Sequence, residues 1–241
     1  MPSTKFIFSP PVIAHRGASA IAPENTASSF QRAALLGMKW VEFDVMLTSD
    51  GHAVVIHDET LDRTSDGTGR VCERTFDYIK TLDAGSWFGA EFSSEKILML
   101  QELIVLLHQL DLSANIEIKA IPGMEETTAR CVMKILEAYW SPEKNPPLIS
   151  SFSRDILREV RRISPEAAIG FLMDHWEESW KEDCDALQAV AVDVNHLVLT
   201  PDRVKEIKAT DRYVLAYTVN DPVRMRELLS WGVDAVFSDC G

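Results

Sequence analysis

The sequence predicts an α/β fold of the (β/α)8 TIM barrel type, and three observations predict it. Eight apolar runs of strand length are spread over 241 residues. Segments with apolar residues at helical spacing lie between most of them. Helix-start signals, Thr200-Pro201 and Asp221-Pro222, each place a capping side chain before a proline in the first turn. Strands that alternate with helices build a parallel sheet, and eight such units in about 250 residues close into a barrel. An open, doubly wound sheet is the second reading of the same alternation.

In chain order the strand candidates are PVIAH (11–15), WVEFDV (40–45), ANIEIK (114–119), PLISSF (147–152), AAIGFLM (167–173), AVAVDVN (189–195), YVLAYTV (213–219) and DAVFS (234–238). Among the helices, Leu100, Leu103, Ile104 and Leu107 fall on one face. Val132, Ile135, Leu136 and Tyr139 share another, as do Ile156, Val160 and Ile163. The segment from about Met46 to Leu98 breaks the alternation. It holds an extra strand-like run, AVVIH (53–57), and then stretches rich in Gly, Asp, Ser and Thr. We read it as an insertion between the second strand and its helix, leaving from the C-terminal rim where active sites of this fold lie. The chain forms one domain over residues 1–241. It stops just after the eighth strand, so the eighth outer helix is expected to be missing, with the N-terminal residues available to cover the gap.

Composition narrows the function. With 46% hydrophobic residues the chain can bury a sizeable core, yet no stretch is apolar for the roughly 18 residues a membrane span needs. The opening MPSTKFIFSPPVIAHRG lacks the long apolar stretch and cleavage site of a secretory signal, so a cytoplasmic protein is expected. Four widely separated cysteines, with no CxxC, read as reduced structural thiols. A formal net charge of −13 argues against nucleic acid and anionic membrane surfaces as partners. A small anionic substrate fits only if the site supplies local positive charge.

Polar residues at the strand ends carry the chemistry. Glu42 and Asp44 interrupt the second strand at i and i+2, so both point to one side of it, and Glu117 and Lys119 do the same at the end of the third. His15 and Arg16 follow the first strand, and His57 ends the extra run. Three converging carboxylates repel one another, more so when buried. One divalent cation removes the conflict, and oxygen ligands favour a hard ion, Mg²⁺ or Ca²⁺. Three carboxylates and one such ion leave a single negative charge. Arg16 and Lys119 turn it into a single positive charge, which a phosphodiester neutralises. Cleaving a phosphodiester takes one proton from the nucleophile and gives one to the leaving oxygen, roles that His15 and His57 can divide. His52, His108, His175 and His196 lack such company and read as structural.

These residues also fall in motifs: HRG (15–17), PENT (23–26), EFDV (42–45), DG (50–51), HDETLDRTSDGTG (57–69), LDAGSWF (82–88), NIEIK (115–119), SSF (150–152), YTVN (217–220) and GVDAVFSD (232–239). The ordered set, spanning nearly the whole chain, resembles the glycerophosphodiester phosphodiesterases, most of all their small bacterial cytosolic members. The resemblance implies a (β/α)8 barrel with an insertion after strand two, and a divalent metal held by Glu42, Asp44 and Glu117. It implies His15 and His57 as the acid–base pair, with Arg16 and Lys119 on the phosphate. The implied substrates are glycerophosphocholine, glycerophosphoethanolamine and similar small molecules, split into glycerol 3-phosphate and an alcohol. Tyr217 stands where many relatives have Trp, keeping an aromatic wall, and Trp87 with Phe88 offers a second one. Whether the nucleophile is the glycerol 2-hydroxyl or water stays open, as does which histidine is acid and which is base. Lysophospholipase D or phospholipase C-like action on acylated lipids is an alternative in the same chemistry. A catalytically inactive phosphodiester-binding module is an alternative of another class, disfavoured because a binder needs no proton donors.

Overall fold

The computed structural model describes residues 5–240. Eight parallel strands form its centre: β1 (Val12–His15), β2 (Trp40–Leu47), β4 (Ser113–Ile118), β5 (Leu148–Ser151), β6 (Ala168–Met173), β7 (Ala191–Asn195), β8 (Tyr213–Tyr217) and β9 (Ala235–Ser238). Strand β1 pairs with both β2 and β9, so the sheet closes on itself and the open-sheet reading is excluded. Helices α1 (Ala27–Leu35), α3 (Leu100–Leu110), α4 (Glu125–Tyr139), α5 (Arg154–Ile163), α6 (Trp180–Leu187), α7 (Pro201–Lys208) and α8 (Pro222–Trp231) return the chain between successive barrel strands. The capping signals work as their chemistry requires. The Thr200 side chain accepts from Arg203 N, and the Asp221 side chain accepts from Val223 N, each ahead of a proline with no amide hydrogen to orphan.

The strands read as near-continuous apolar runs because both faces are covered. One face packs on the helices through residues such as Val41, Phe43, Ile116 and Val192. The other fills the barrel, where Ile13, Trp40, Leu148, Ala191 and Leu215 form the lower layer. The insertion leaves β2 through the short antiparallel strand β3 (Ala53–Val55), which registers Val45 against Val55. It carries the short helix α2 (Phe76–Ile79) and buries its own cluster, including Met46, Ile56, Leu61, Val71, Ile79 and Leu82.

Among the described residues no helix follows β9. Of the N-terminal segment, the described part sits under the barrel, where Phe6 shares a cluster with Ala235 and Phe237 of β9. Phe6 and Phe8 pack on Trp40 and Tyr213 at the starts of β2 and β8, with ring centroids 5.3 Å (Phe6–Trp40) and 4.9 Å (Phe8–Trp40) apart. Trp40 Nε1 donates to the Ile7 carbonyl at 3.0 Å, so this segment plugs the bottom of the barrel. An open barrel floor would expose the lower apolar layer to water, and two aromatic rings remove more of that surface than a polar strap could. No helix among the described residues is long and apolar enough to cross a membrane.

Candidate active site

All the strand-end polar residues converge at the C-terminal mouth of the barrel. The turn after β1 makes the first connection. Arg16 and Gly17 both take left-handed backbone conformations, at φ 55 and φ 80. Gly17 is required there, since a Cβ would lie 2.4 Å from Ser29 Oγ and 2.7 Å from the Ser29 carbonyl carbon. The turn aims the Arg16 backbone N–H at Glu42 Oε2, 3.1 Å away. Asn25, also left-handed, donates its backbone N–H to the Arg16 carbonyl at 3.0 Å and its side-chain amide to Asp44 Oδ2 at 3.1 Å. The first and second motifs thereby grip the acids of the third.

Strand register sets the acids side by side. Asp44 on β2 pairs with Glu117 on β4, and Glu42 lies two residues earlier on the same face. Each of the three offers an oxygen within 4.8 Å of the others, and Glu42 and Asp44 are buried. Burial, reinforced by the charges of Asp44 and Glu117, pushes the Glu42 carboxyl well up. Burial and Asp44 push Glu117 up as well, against the pull of Lys119. For Asp44, burial works in the same direction, but Lys119 and Arg16 outweigh it and hold the group low. Lys119 Nζ lies 2.8 Å from Glu117 Oε1 and 3.6 Å from Asp44 Oδ1, while Arg16 Nε lies 3.5 Å from Asp44 Oδ2. Two cations are thus not enough for three acids in one buried pocket. The donor set fits a hard divalent cation, whose charge would remove the repulsion that drives Glu42 and Glu117 toward protonation.

The two histidines flank the acids, each backed by a carboxylate. His15 Nδ1 lies 2.6 Å from Asp239 Oδ1, and its Nε2 faces Glu42 Oε2 at 3.9 Å. His57 Nδ1 lies 2.7 Å from Asp58 Oδ1. Arg63 clasps Asp58 through Nε at 2.6 Å and Nη2 at 2.9 Å, and also binds both oxygens of Glu24, which in turn holds Arg16 at 2.9 Å. Burial lowers the His57 pKa, with Lys119 and Arg16 adding to the effect and Asp44 opposing it, so this imidazole favours its neutral form.

Between them lies a cavity of about 160 Å³ lined by His15, Arg16, Glu42, His57, Glu117 and Lys119, with an apolar side formed by Phe152, Leu172 and Tyr217. The Phe152 and Tyr217 rings meet edge-on at 6.0 Å. Trp87 is not among the lining residues. Its indole N–H donates to the Ala84 carbonyl at 2.9 Å, and its ring packs on Phe88 within the insertion. Sequence reasoning had not singled out Phe152, Asn25, Asp58, Arg63, Glu24 or Asp239. All six sit inside the quoted motifs: Glu24 and Asn25 in PENT, Asp58 and Arg63 in HDETLDRTSDGTG, Phe152 in SSF and Asp239 in GVDAVFSD. Their roles depend on partners in other motifs, most distantly His15 for Asp239, 224 residues away.

A closed barrel with such a mouth can hold a small anionic substrate among acids, cations and two imidazoles. Comparison with known proteins defines the class. Residues 15–240 match the glycerophosphoryl diester phosphodiesterase family, and the chain belongs to it. A glycerophosphodiester phosphodiesterase of Caldanaerobacter subterraneus is 37% identical over 237 residues, covering 95% of this chain and 93% of the relative. One of Bacillus subtilis is 33% identical, covering 94% and 82%. Among solved structures, a phosphodiesterase of Oleispira antarctica in complex with the product sn-glycerol-3-phosphate has a TM-score of 0.93 and 39% identity, covering 96% of this chain and 93% of that one.

Proposed function

We propose that this protein hydrolyses glycerophosphodiesters, such as glycerophosphocholine and glycerophosphoethanolamine, to sn-glycerol 3-phosphate and the free alcohol. One divalent cation, Mg²⁺ or Ca²⁺, would be held by Glu42, Asp44 and Glu117. The observation that carries the reading is the three acids packed within 4.8 Å of one another, with an imidazole to either side and Arg16 and Lys119 between. The product bound to the Oleispira relative supports the glycerol phosphate half of the assignment.

The cation would supply positive charge where negative charge builds on phosphorus and would acidify the attacking oxygen. The remaining work falls to the chain's own residues. Arg16 and Lys119 hold the phosphate oxygens, the first as a fork and the second as a compact charge. His15 and His57 divide the two proton transfers, one taking the nucleophile's proton at a ring nitrogen and the other giving one to the leaving alcohol. Phe152, Leu172 and Tyr217 pack on the carbon skeleton and keep water from that side.

A coupled assay for glycerol 3-phosphate tests the reading, with a panel of glycerophosphodiesters and one lysophospholipid, each with Mg²⁺, Ca²⁺ or chelator. Release of glycerol 3-phosphate only with a cation is expected. No release with either ion, or undiminished release in chelator, overturns it.

A further inference from the structure

We propose that Asp239, braced by Ser19 and Asn220, is a positioning residue that fixes the His15 imidazole with its proton on Nδ1 and leaves Nε2 for proton transfer. The reactive role of His15 rests on the function proposed above; the contact with Asp239 does not.

Asp239 directly follows β9, on the strand that closes the barrel against β1. Its Oδ1 lies 2.6 Å from His15 Nδ1, and its Oδ2 accepts from Asn220 Nδ2 at 2.6 Å. Asn220 cannot turn its amide around, because its own oxygen accepts from the Asp239 backbone N–H at 2.9 Å. Ser19 Oγ stands 2.8 Å from the His15 carbonyl and 3.0 Å from Asp239 Oδ1, so its single hydroxyl proton is shared between the two acceptors. A further bond, from Ala20 N to the Asp239 carbonyl at 3.0 Å, ties the β1 loop to the same residue. Asn220 Nδ2 donates to this carboxylate, and the Ser19 hydroxyl can donate to it as well. Burial works to raise its pKa, but the bonds from His15 and Asn220 win and hold it below the usual range. An ionised carboxylate accepts only, so His15 Nδ1 must carry the hydrogen. The other ring nitrogen then faces the acids of the mouth.

The two imidazoles differ in how their carboxylates are held. Arg63 occupies both oxygens of Asp58, whereas among the described residues no Lys or Arg pairs with Asp239. The full charge of Asp239 is therefore directed at His15, and the brace around it is made of neutral groups. A ring held in one tautomer and one orientation loses no time in unproductive states, which is what an orienting carboxylate contributes in acid–base catalysis.

The test measures kcat and KM for Asp239→Ala, Asp239→Asn, His15→Ala and the double variant His15→Ala/Asp239→Ala, together with the imidazole proton signals in ¹H–¹⁵N spectra. We expect Asp239→Ala to lower kcat by about 10²-fold or more with KM little changed. Asp239→Asn keeps the shape but turns an amide N–H₂ toward one of the donors, and should show a similar loss through the opposite tautomer. In the double variant the loss should be no larger than in His15→Ala alone, because Asp239 acts only through that ring. A near-normal kcat in Asp239→Ala, or losses that multiply in the double variant, would overturn the proposal. If His15→Ala stays active, the catalytic role of His15 falls. The positioning claim is then decided by the spectrum: a His15 Nδ1–H signal present in the parent and lost in Asp239→Ala upholds it, and an unchanged signal ends it.

Discussion

Asp193 offers a test of the electrostatics beneath the site. It sits on β7, fully buried inside the barrel, with Oδ2 accepting from Asn115 Nδ2 at 3.2 Å and Oδ1 without a partner. Ser150 Oγ continues the chain to Asn115 at 2.8 Å, and both residues line the cavity. The pocket for this carboxyl is filled to its limit, since a Cβ on Gly170 would lie 2.8 Å from Asp193 Oδ2. Burial pushes the Asp193 pKa from 3.8 up to about 7, with the Asn115 bond opposing and Glu117 assisting. Between those two values the folded protein binds a proton that the unfolded chain has already lost. Stability from this group is therefore full below about pH 4, falls as pH rises toward 7, and is flat above. At ~1.36 kcal/mol per pH unit, the loss is at most about 4 kcal/mol. Asp193→Asn stays neutral at every pH, so its stability relative to the parent should climb by up to that amount between pH 4 and pH 8. Urea unfolding of both proteins in chelator, at three pH values across this range, measures the difference. The variant's unpaired amide adds an offset that does not vary with pH. A stability difference that stays constant from pH 4 to pH 8 would refute the account.

Three further outcomes follow from the geometry. Glu42→Gln removes one of three mutually repelling acids, so it should raise the melting temperature of the cation-free protein and abolish the rise that Mg²⁺ or Ca²⁺ produces in the parent; calorimetry with and without the ion checks both. His57→Ala should lower turnover by roughly 10²–10⁴-fold in the glycerol 3-phosphate assay, and near-normal turnover would remove it from the mechanism. Gly17→Ala forces a Cβ to 2.7 Å from the Ser29 carbonyl carbon, which no side-chain rotation relieves, at a left-handed φ of 80. It should cost about 2 kcal/mol or more in denaturant titrations, and an unchanged midpoint would count against the assigned turn.

The barrel was readable in the sequence because each level of the chain says the same thing. The strands are apolar on both faces, the helices carry one apolar stripe, and proline follows a capping side chain where α7 and α8 begin. Local consistency of this kind leaves few folds to choose among. The place of Phe6 and Phe8 was not readable because they follow no periodic pattern; only the ring of small and medium residues under the barrel, Ala168, Ala191, Leu215 and Ala235, makes room for them. That space is a property of eight strands together and belongs to no stretch of the chain.

The same division runs through the site. Glu42, Asp44, Glu117 and Lys119 stand out because each replaces an apolar residue in a run that otherwise has none to spare, and a strand's alternation then says which of them point the same way. Trp87 had only its aromatic character to recommend it, and the structure packs it on Phe88, while Phe152 reaches the cavity because a residue just past the end of β5 can scarcely point elsewhere. The outer carboxylates are harder to see for a physical reason. Asp58 and Asp239 need not converge with other acids; each needs only one imidazole. An Asp in a surface loop looks the same whether or not a histidine 224 residues away rests on it. What distinguishes Asp239 is that no Lys or Arg among the described residues pairs with it while Asn220 and Ser19 offer it hydrogens, and both are facts about neighbours that only the closure of β9 onto β1 brings together.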